Sequence, residues 1–265
     1  MDERVKRLLK ETELFVLDMD GTFFMEQDVI EGALDFIHMV QKRGKRFMFF
    51  TNNSSKAPED YQEKLAGAGC PISREQIMTS GDVAIHYLRQ RYGQASVYLA
   101  GTPQLEKSLR EAGIHLTDEE PDIVLVGFDM TLTYEKLERC CSFVRRGALF
   151  LATHPDINCP VKGGFIPDCG AICAAIRLST KKEPRYLGKP YRETVDMIGE
   201  QTKIPASRTA FVGDRLYTDI AAGVNHGAKG FLVLTGEADR KDVEASEVKP
   251  TAVFSSLGEM AAYMS

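Results

Sequence analysis

The 265-residue sequence has no continuous apolar run long enough to cross a bilayer, and its opening Met1–Lys10 is charged throughout. Neither a membrane span nor a signal peptide is expected, and the chain reads as cytoplasmic. Positive charge is not in excess: a net charge of -5 leaves no electrostatic footprint for nucleic acid and argues against a broad anionic-surface binder, so the ligands should be small. No low-complexity tract, internal repeat or GxxxxGK[ST] phosphate loop is present. The six cysteines (Cys70, Cys140, Cys141, Cys159, Cys169 and Cys173) form no paired CxxC pattern. A chain of this length needs no disulfides, so reduced thiols are expected. Cys159, Cys169 and Cys173 lie near His154, but their spacing is irregular for zinc and ordinary packing is the simpler reading.

What is present is enough apolar material for a sizeable core: 43% of residues are hydrophobic and 27% charged, as in ordinary globular proteins. Strand-like runs alternate with amphipathic helical runs, the pattern of a parallel sheet covered by helices on both faces, so the fold class is α/β. Strands are expected at 14–18, 45–50, 76–79, 208–213 and 229–234, with helices near 32–43, 58–67, 190–201 and 216–226. Residues of about 81–182 repeat the alternation alone, with strands near 95–100, 122–127 and 148–152 and helices near 103–112, 133–146 and 169–179. Hinge-like composition at Ser80-Gly81 and Lys181–Pro184 then predicts a discontinuous core domain, 1–80 with 183–265, carrying an inserted domain, 81–182.

The most informative residues are Asp18 and Asp20, which the apolar run Leu14–Leu17 delivers straight into the turn Gly21-Thr22. Two acids at the mouth of a strand, with no basic neighbour in sequence, repel each other and are costly to desolvate unless a cation lies between them. Three further segments end core strands in groups suited to phosphate and metal, and ligands of open α/β sheets bind at the carboxyl ends of the strands. Thr51-Asn52-Asn53-Ser54-Ser55 places hydroxyls and amides before a helix, where they serve as an N-cap and leave N–H groups to attract phosphate. Gly188-Lys189-Pro190 holds an ammonium between an apolar run and a rigid proline. Gly213-Asp214 through Asp219 again ends a strand in glycine and acid; capping explains one of its two aspartates but not both.

In this order, Asp18-x-Asp20-Gly21-Thr22, Thr51, Lys189 and Gly213-Asp214…Asp219 resemble the four motifs of the haloacid dehalogenase superfamily of phosphohydrolases. The insertion lies where the C2 type of that superfamily carries its cap, on a Rossmann-like core. Val126-Gly127-Phe128-Asp129 with Leu132–Leu137, and Val212–Gly223, look like the branch of NagD-like and 4-nitrophenyl phosphatases. That branch commonly has Thr-Asn-Pro-Asp followed by a proline-glycine-rich turn; here stand Thr153-His154-Pro155-Asp156 and Ile166-Pro167-Asp168-Cys169-Gly170-Ala171. The departure bears on substrate choice rather than on the reaction.

The resemblance implies a Mg²⁺-dependent phosphomonoester hydrolase acting on a small phosphorylated metabolite through an aspartyl-phosphate. Asp18 would be the nucleophile and Asp20 the acid and base. Thr51 and Lys189 would contact phosphoryl oxygens, with Gly21, Asn52 and Asn53 beside them. Asp18, Asp214 and the main-chain carbonyl of Asp20 would hold the metal, and Asp219 would orient Asp214 or a bound water. His154, Asp156, Asp168, Cys169 and Gly170 would form the cap loop facing the leaving group, and the cap is the expected face of a homodimer. A phosphomutase and a receiver-like module with a long-lived phosphoaspartate remain open beside this reading.

Overall fold

A computed structural model describes residues 2–161 and 163–265, which fall into two compact units. The first comprises residues 2–51, 61–78 and 189–265. Its sheet has six strands in the order Ala252–Phe254, Lys229–Val233, Thr209–Gly213, Leu14–Leu17, Arg46–Thr51 and Ile77–Thr79. Leu14–Leu17 is central, parallel to both neighbours, with Leu17 opposite Val212 on one side and Phe49 on the other. All four of its residues are buried, which is why the run is continuously apolar rather than alternating. Phenylalanines pack edge to face around it, Phe15 on Phe36 at 5.3 Å and Phe23 on Phe49 at 5.0 Å between ring centroids.

The second unit, residues 52–60 and 79–188, has its own parallel five-stranded sheet. Its order is Arg185–Tyr186, Leu149–Ala152, Ile123–Val126, Ser96–Ala100 and His115–Leu116. An antiparallel hairpin pairs Asn158–Val161 with Gly164–Pro167. Helices Pro103–Glu111, Tyr134–Arg146 and Cys169–Thr180 start at the side-chain caps Thr102, Thr133 and Asp168. Tyr98, Phe143, Phe150 and Ile172 belong to the separate core that lies between them.

The α/β class read from the sequence is the class observed. Several local expectations differ. Ser80 and Gly81 are buried and open the helix Ser80–Tyr92, which Thr79 and Asp82 start with a reciprocal capping box, directly after the change of unit between Met78 and Thr79. Past Pro184, Arg185 and Tyr186 pair with Leu151 and Ala152, so the second unit continues to Gly188. In place of one helix over 216–226 there is a wide turn, Leu216–Ile220, followed by the short α-helix Ala221–Val224. Among the described residues, no helix is long and apolar enough to cross a membrane.

Candidate active site

The strand Leu14–Leu17 runs into Asp18, whose backbone N–H donates to Val212 O at 2.8 Å and fixes it beside the end of the neighbouring strand. That neighbour ends in Gly213 and continues into Asp214, and the strand on the other side ends at Thr51. Three strand ends therefore open together. Beside these strand ends, in the same unit, lies Lys189, only 2% exposed. Its Nζ donates to Asp18 Oδ1 at 2.6 Å, to Asp219 Oδ1 at 2.6 Å and to Phe50 O at 3.3 Å. The ligand oxygens of Asp18, Asp214 and Asp219 all lie within 4.8 Å of one another.

Two glycines allow the acids to come this close. Gly21 has φ +83, and a Cβ there would lie 2.4 Å from Asp214 Oδ2. At Gly213 a Cβ would lie 2.2 Å from Asp219 Cγ. Asp219 reaches back because the wide turn bonds both Asp219 N and Ile220 N to Arg215 O, while its Oδ2 accepts from Arg215 N at 3.2 Å.

A haloacid dehalogenase-like hydrolase model matches residues 15–115, and a second HAD-hydrolase-like model matches residues 186–260. The chain is 37% identical to an acid sugar phosphatase of Staphylococcus aureus (strain MRSA252), over 95% of this chain and 97% of that one. The solved 4-nitrophenylphosphatase of Thermotoga maritima is 45% identical and superposes with a TM-score of 0.94, covering 97% of this chain and 99% of its own. A protein described as a putative nagD protein is 42% identical with a TM-score of 0.90, covering 95% and 98%. The chain belongs to the haloacid dehalogenase-like hydrolases. Within them it is an enzyme of the NagD-like and 4-nitrophenyl phosphatase branch, a phosphatase.

The charge balance of the hydrolase's site is uneven: one ammonium serves three carboxyls. Burial, with repulsion from Asp219 and Asp214 that Lys189 only partly offsets, pushes Asp18 up to about 8. Burial and the Asp219 charge push Asp214 up to about 6, against the Glu237 N–H that stabilises its anion. Burial disfavours the charge on Lys189, but Asp18 and Asp219 outweigh it and hold the ammonium above its ordinary range. Such a cluster is short of positive charge, and its donors are all oxygen. That fits a hard divalent cation.

Asp20 stands apart from this cluster. Its side chain is 61% exposed and lies 3.5 Å from Lys64 Nζ. Thr51 is buried at the end of its strand. Asn52 and Asn53, in the second unit, are engaged locally. The Asn52 amide donates to Asp156 at 3.2 Å and 3.4 Å, and Asn53 Oδ1 accepts from Ser55 N at 2.9 Å and Ser55 Oγ at 2.7 Å. Of the five residues read as a cap loop, only Asp156 keeps partial exposure. His154 Nε2 pairs with Asp168 Oδ1 at 2.8 Å, and its Nδ1 meets Thr153 Oγ1 at 2.9 Å and Ser80 Oγ at 3.2 Å. Asp168 also accepts from Cys169 N, and a Cβ on Gly170 would lie 2.1 Å from Pro155 O. These four hold the loop together from inside. His154, Asp156 and Asp168 bring ligand atoms within 4.8 Å of one another, with His154 Nε2 and Asp168 Oδ1 engaged with each other, and among the described residues no cysteine joins a metal-sized group.

One part of the site was missed: the strap Thr235-Gly236-Glu237. Thr235 Oγ1 donates to Gly21 O at 2.6 Å, and Glu237 N donates to Asp214 Oδ2 at 2.8 Å. A Cβ on Gly236 would lie 2.0 Å from that same oxygen. The glycine directly after the strand Lys229–Val233 and Leu234-Thr235 was the available signal, since strand ends in this sheet carry the site.

Proposed function

We propose that the chain hydrolyses small phosphomonoesters, a sugar phosphate or a metabolite of similar size, through an aspartyl-phosphate on Asp18, with Mg²⁺ as its metal. The observation that carries this reading is the seating of Asp18. Its carboxylate is held by Lys189 at 2.6 Å where three strand ends open, with Asp214 beside it. The metal's ligands would be Asp18, Asp214 and the main-chain carbonyl of Asp20. When bound it supplies charge neutralisation, so that an anionic nucleophile can approach an anionic ester. In the first half-reaction an Asp18 carboxylate oxygen attacks phosphorus, the bond from phosphorus to the ester oxygen breaks, and Asp20 gives its proton to that oxygen, releasing an alcohol. In the second, water attacks the same phosphorus, its proton passes to Asp20, and the bond to Asp18 breaks to release inorganic phosphate. Lys189 and Thr51 bind phosphoryl oxygens throughout, because phosphoryl transfer rests mainly on positioning and electrostatic stabilisation. Gly21 and the amide-bearing Asn52 and Asn53 complete the phosphate surroundings in this reading, and the unit built on residues 79–188 acts as the cap. Asp219 holds Lys189 and through it Asp18.

The test is metal-dependent phosphate release across a panel of phosphorylated metabolites and an aryl phosphate, with Asp18→Asn as the blank. Release by wild type alone, requiring a divalent ion, supports the reading. No release from any ester by folded, Mg²⁺-supplied protein overturns it, and isomerised product without phosphate would show a mutase instead.

A further inference from the structure

Asp20 is the one acid of the constellation whose carboxyl is mostly in water, and it forms an ion pair with Lys64. Lys64 comes from the helix Pro58–Gly67, an element to which sequence motifs assign no chemistry. Its side chain is 27% exposed, and its Nζ lies 3.5 Å from Asp20 Oδ1 and 4.1 Å above the ring centroid of Phe24. Phe24 is 1% exposed, and its backbone is tied to the catalytic turn itself. Gly21 N donates to Phe24 O at 2.7 Å, and Asp20 and Phe24 form a β-bridge. One rigid turn thus carries the acid and also the aromatic platform on which its counter-charge sits.

We propose that Lys64 is a positioning residue that holds the Asp20 carboxyl where it meets the ester oxygen of the substrate. An exposed ion pair alone orders little, since solvent screens it. Seating the ammonium on the face of a buried ring fixes one partner, and the other follows. An unheld aspartate side chain divides itself among three staggered wells, so losing the hold dilutes the productive one and adds the disorder of the second torsion. The proposal rests on the assignment of Asp20 as the group that protonates the leaving oxygen. It makes Lys64 matter in proportion to how much the leaving group needs that proton.

The experiment measures kcat/KM, which reports steps up to departure of the alcohol, for 4-nitrophenyl phosphate and for a primary alkyl phosphate with wild type, K64M and K64R. The first ester expels an anion stable without a proton, and the second does not. General acid help is worth about 10²–10⁴-fold, so K64M should lose roughly tenfold on the alkyl ester and less than about twofold on the aryl ester. K64R, which keeps the charge and the stacking, should restore most of the loss. An equal loss on both esters, or none on either, overturns the proposal, as does K64R behaving like K64M on the alkyl ester. Wild type inactive on both would instead remove the phosphatase reading of this site, a separable result. Thermal melts of the variants should match wild type within a degree or two, because the Asp20 partner is largely exposed and such a pair adds little stability.

Discussion

Binding of a divalent ion to the metal-free protein should release protons, in an amount that the carboxyl environment sets. With Asp18 at about 8 and Asp214 at about 6, the cluster at pH 7 carries roughly 0.9 of a proton on the first and roughly 0.1 on the second. A hard cation takes both as carboxylates, so each ion bound at pH 7 should expel about one proton. At pH 9 both groups are ionised beforehand and the release should fall to about a tenth. Linkage gives the matching affinity change: roughly fifteenfold tighter binding from pH 6 to 7, about tenfold more from pH 7 to 9, and little above. The sign follows from the raised values: the free site holds protons that the ion must displace, so affinity rises with pH. Because the acids interact, these figures belong to the cluster rather than to either residue.

The assay is titration of MgCl₂ into dialysed protein under pH-stat control, repeated by calorimetry in two buffers of different ionisation enthalpy. Asp18→Asn is the control, and its release at pH 7 should fall well below that of wild type because one of the two raised carboxyls is gone. Absence of proton release at pH 7, or an affinity flat between pH 7 and 9, would refute the account of this site as a cluster short of positive charge.

Gly236→Ala brings a methyl group to within 2.0 Å of Asp214 Oδ2, so that carboxylate must move; phosphate release should fall at least about tenfold while the melting temperature changes little. Lys189→Met should cost about 10²–10³-fold or more in turnover. It should also lower the melting temperature at pH 7, and the deficit should shrink as acid neutralises the carboxyls of the cluster still ionised there, Asp214 among them. Asp168→Ala strands the buried His154 Nε2 and removes the cap of the helix Cys169–Thr180; chemical denaturation should show a loss of about 2–4 kcal/mol, and a loss under about 1 kcal/mol would contradict the pairing.

The part of the site legible in the sequence was the part written as strand ends. A buried parallel strand must be apolar throughout, so a carboxylate directly after Leu14–Leu17 stands out without any alignment of relatives. Asp214 was visible for the same reason, after the fully buried strand Thr209–Gly213, and Lys189 by the apolar Tyr186-Leu187 before it and the proline after it. What escaped were contacts made across long sequence separations by residues with ordinary local roles. Lys64 is an unremarked helical lysine until the fold brings it to Asp20, and Gly236 resembles any turn glycine until Asp214 is placed against it. The helix Ser80–Tyr92 is announced by the capping box of Thr79 and Asp82, but Ser80-Gly81 at its first turn has the composition of a loop and masks it. Arg185–Tyr186, a two-residue strand, is too short for periodicity to reveal. In the 153–170 loop the residue types suggested a surface facing substrate, while His154 and Asp168 spend their polarity on each other.

The arrangement of Lys189 resolves a difficulty in the proposed reaction. The ammonium that binds the nucleophile would also be needed by the incoming phosphoryl oxygens, and a lysine with one partner would be pulled away from wherever that partner went. Here Lys189 has two carboxyl groups at 2.6 Å, of which only Asp18 would react in the proposed mechanism. Asp219 is held in turn by Arg215 N, outside the reaction, so it anchors the ammonium while Asp18 changes from carboxylate to acyl phosphate and loses its charge. Asp18 keeps its own place through its backbone bond to Val212 O, which the chemistry at its side chain does not disturb. The second acid after Gly213 therefore costs repulsion in the resting site, visible in the raised values of Asp18 and Asp214, and offsets it by keeping the lysine fixed when the nucleophile's charge disappears.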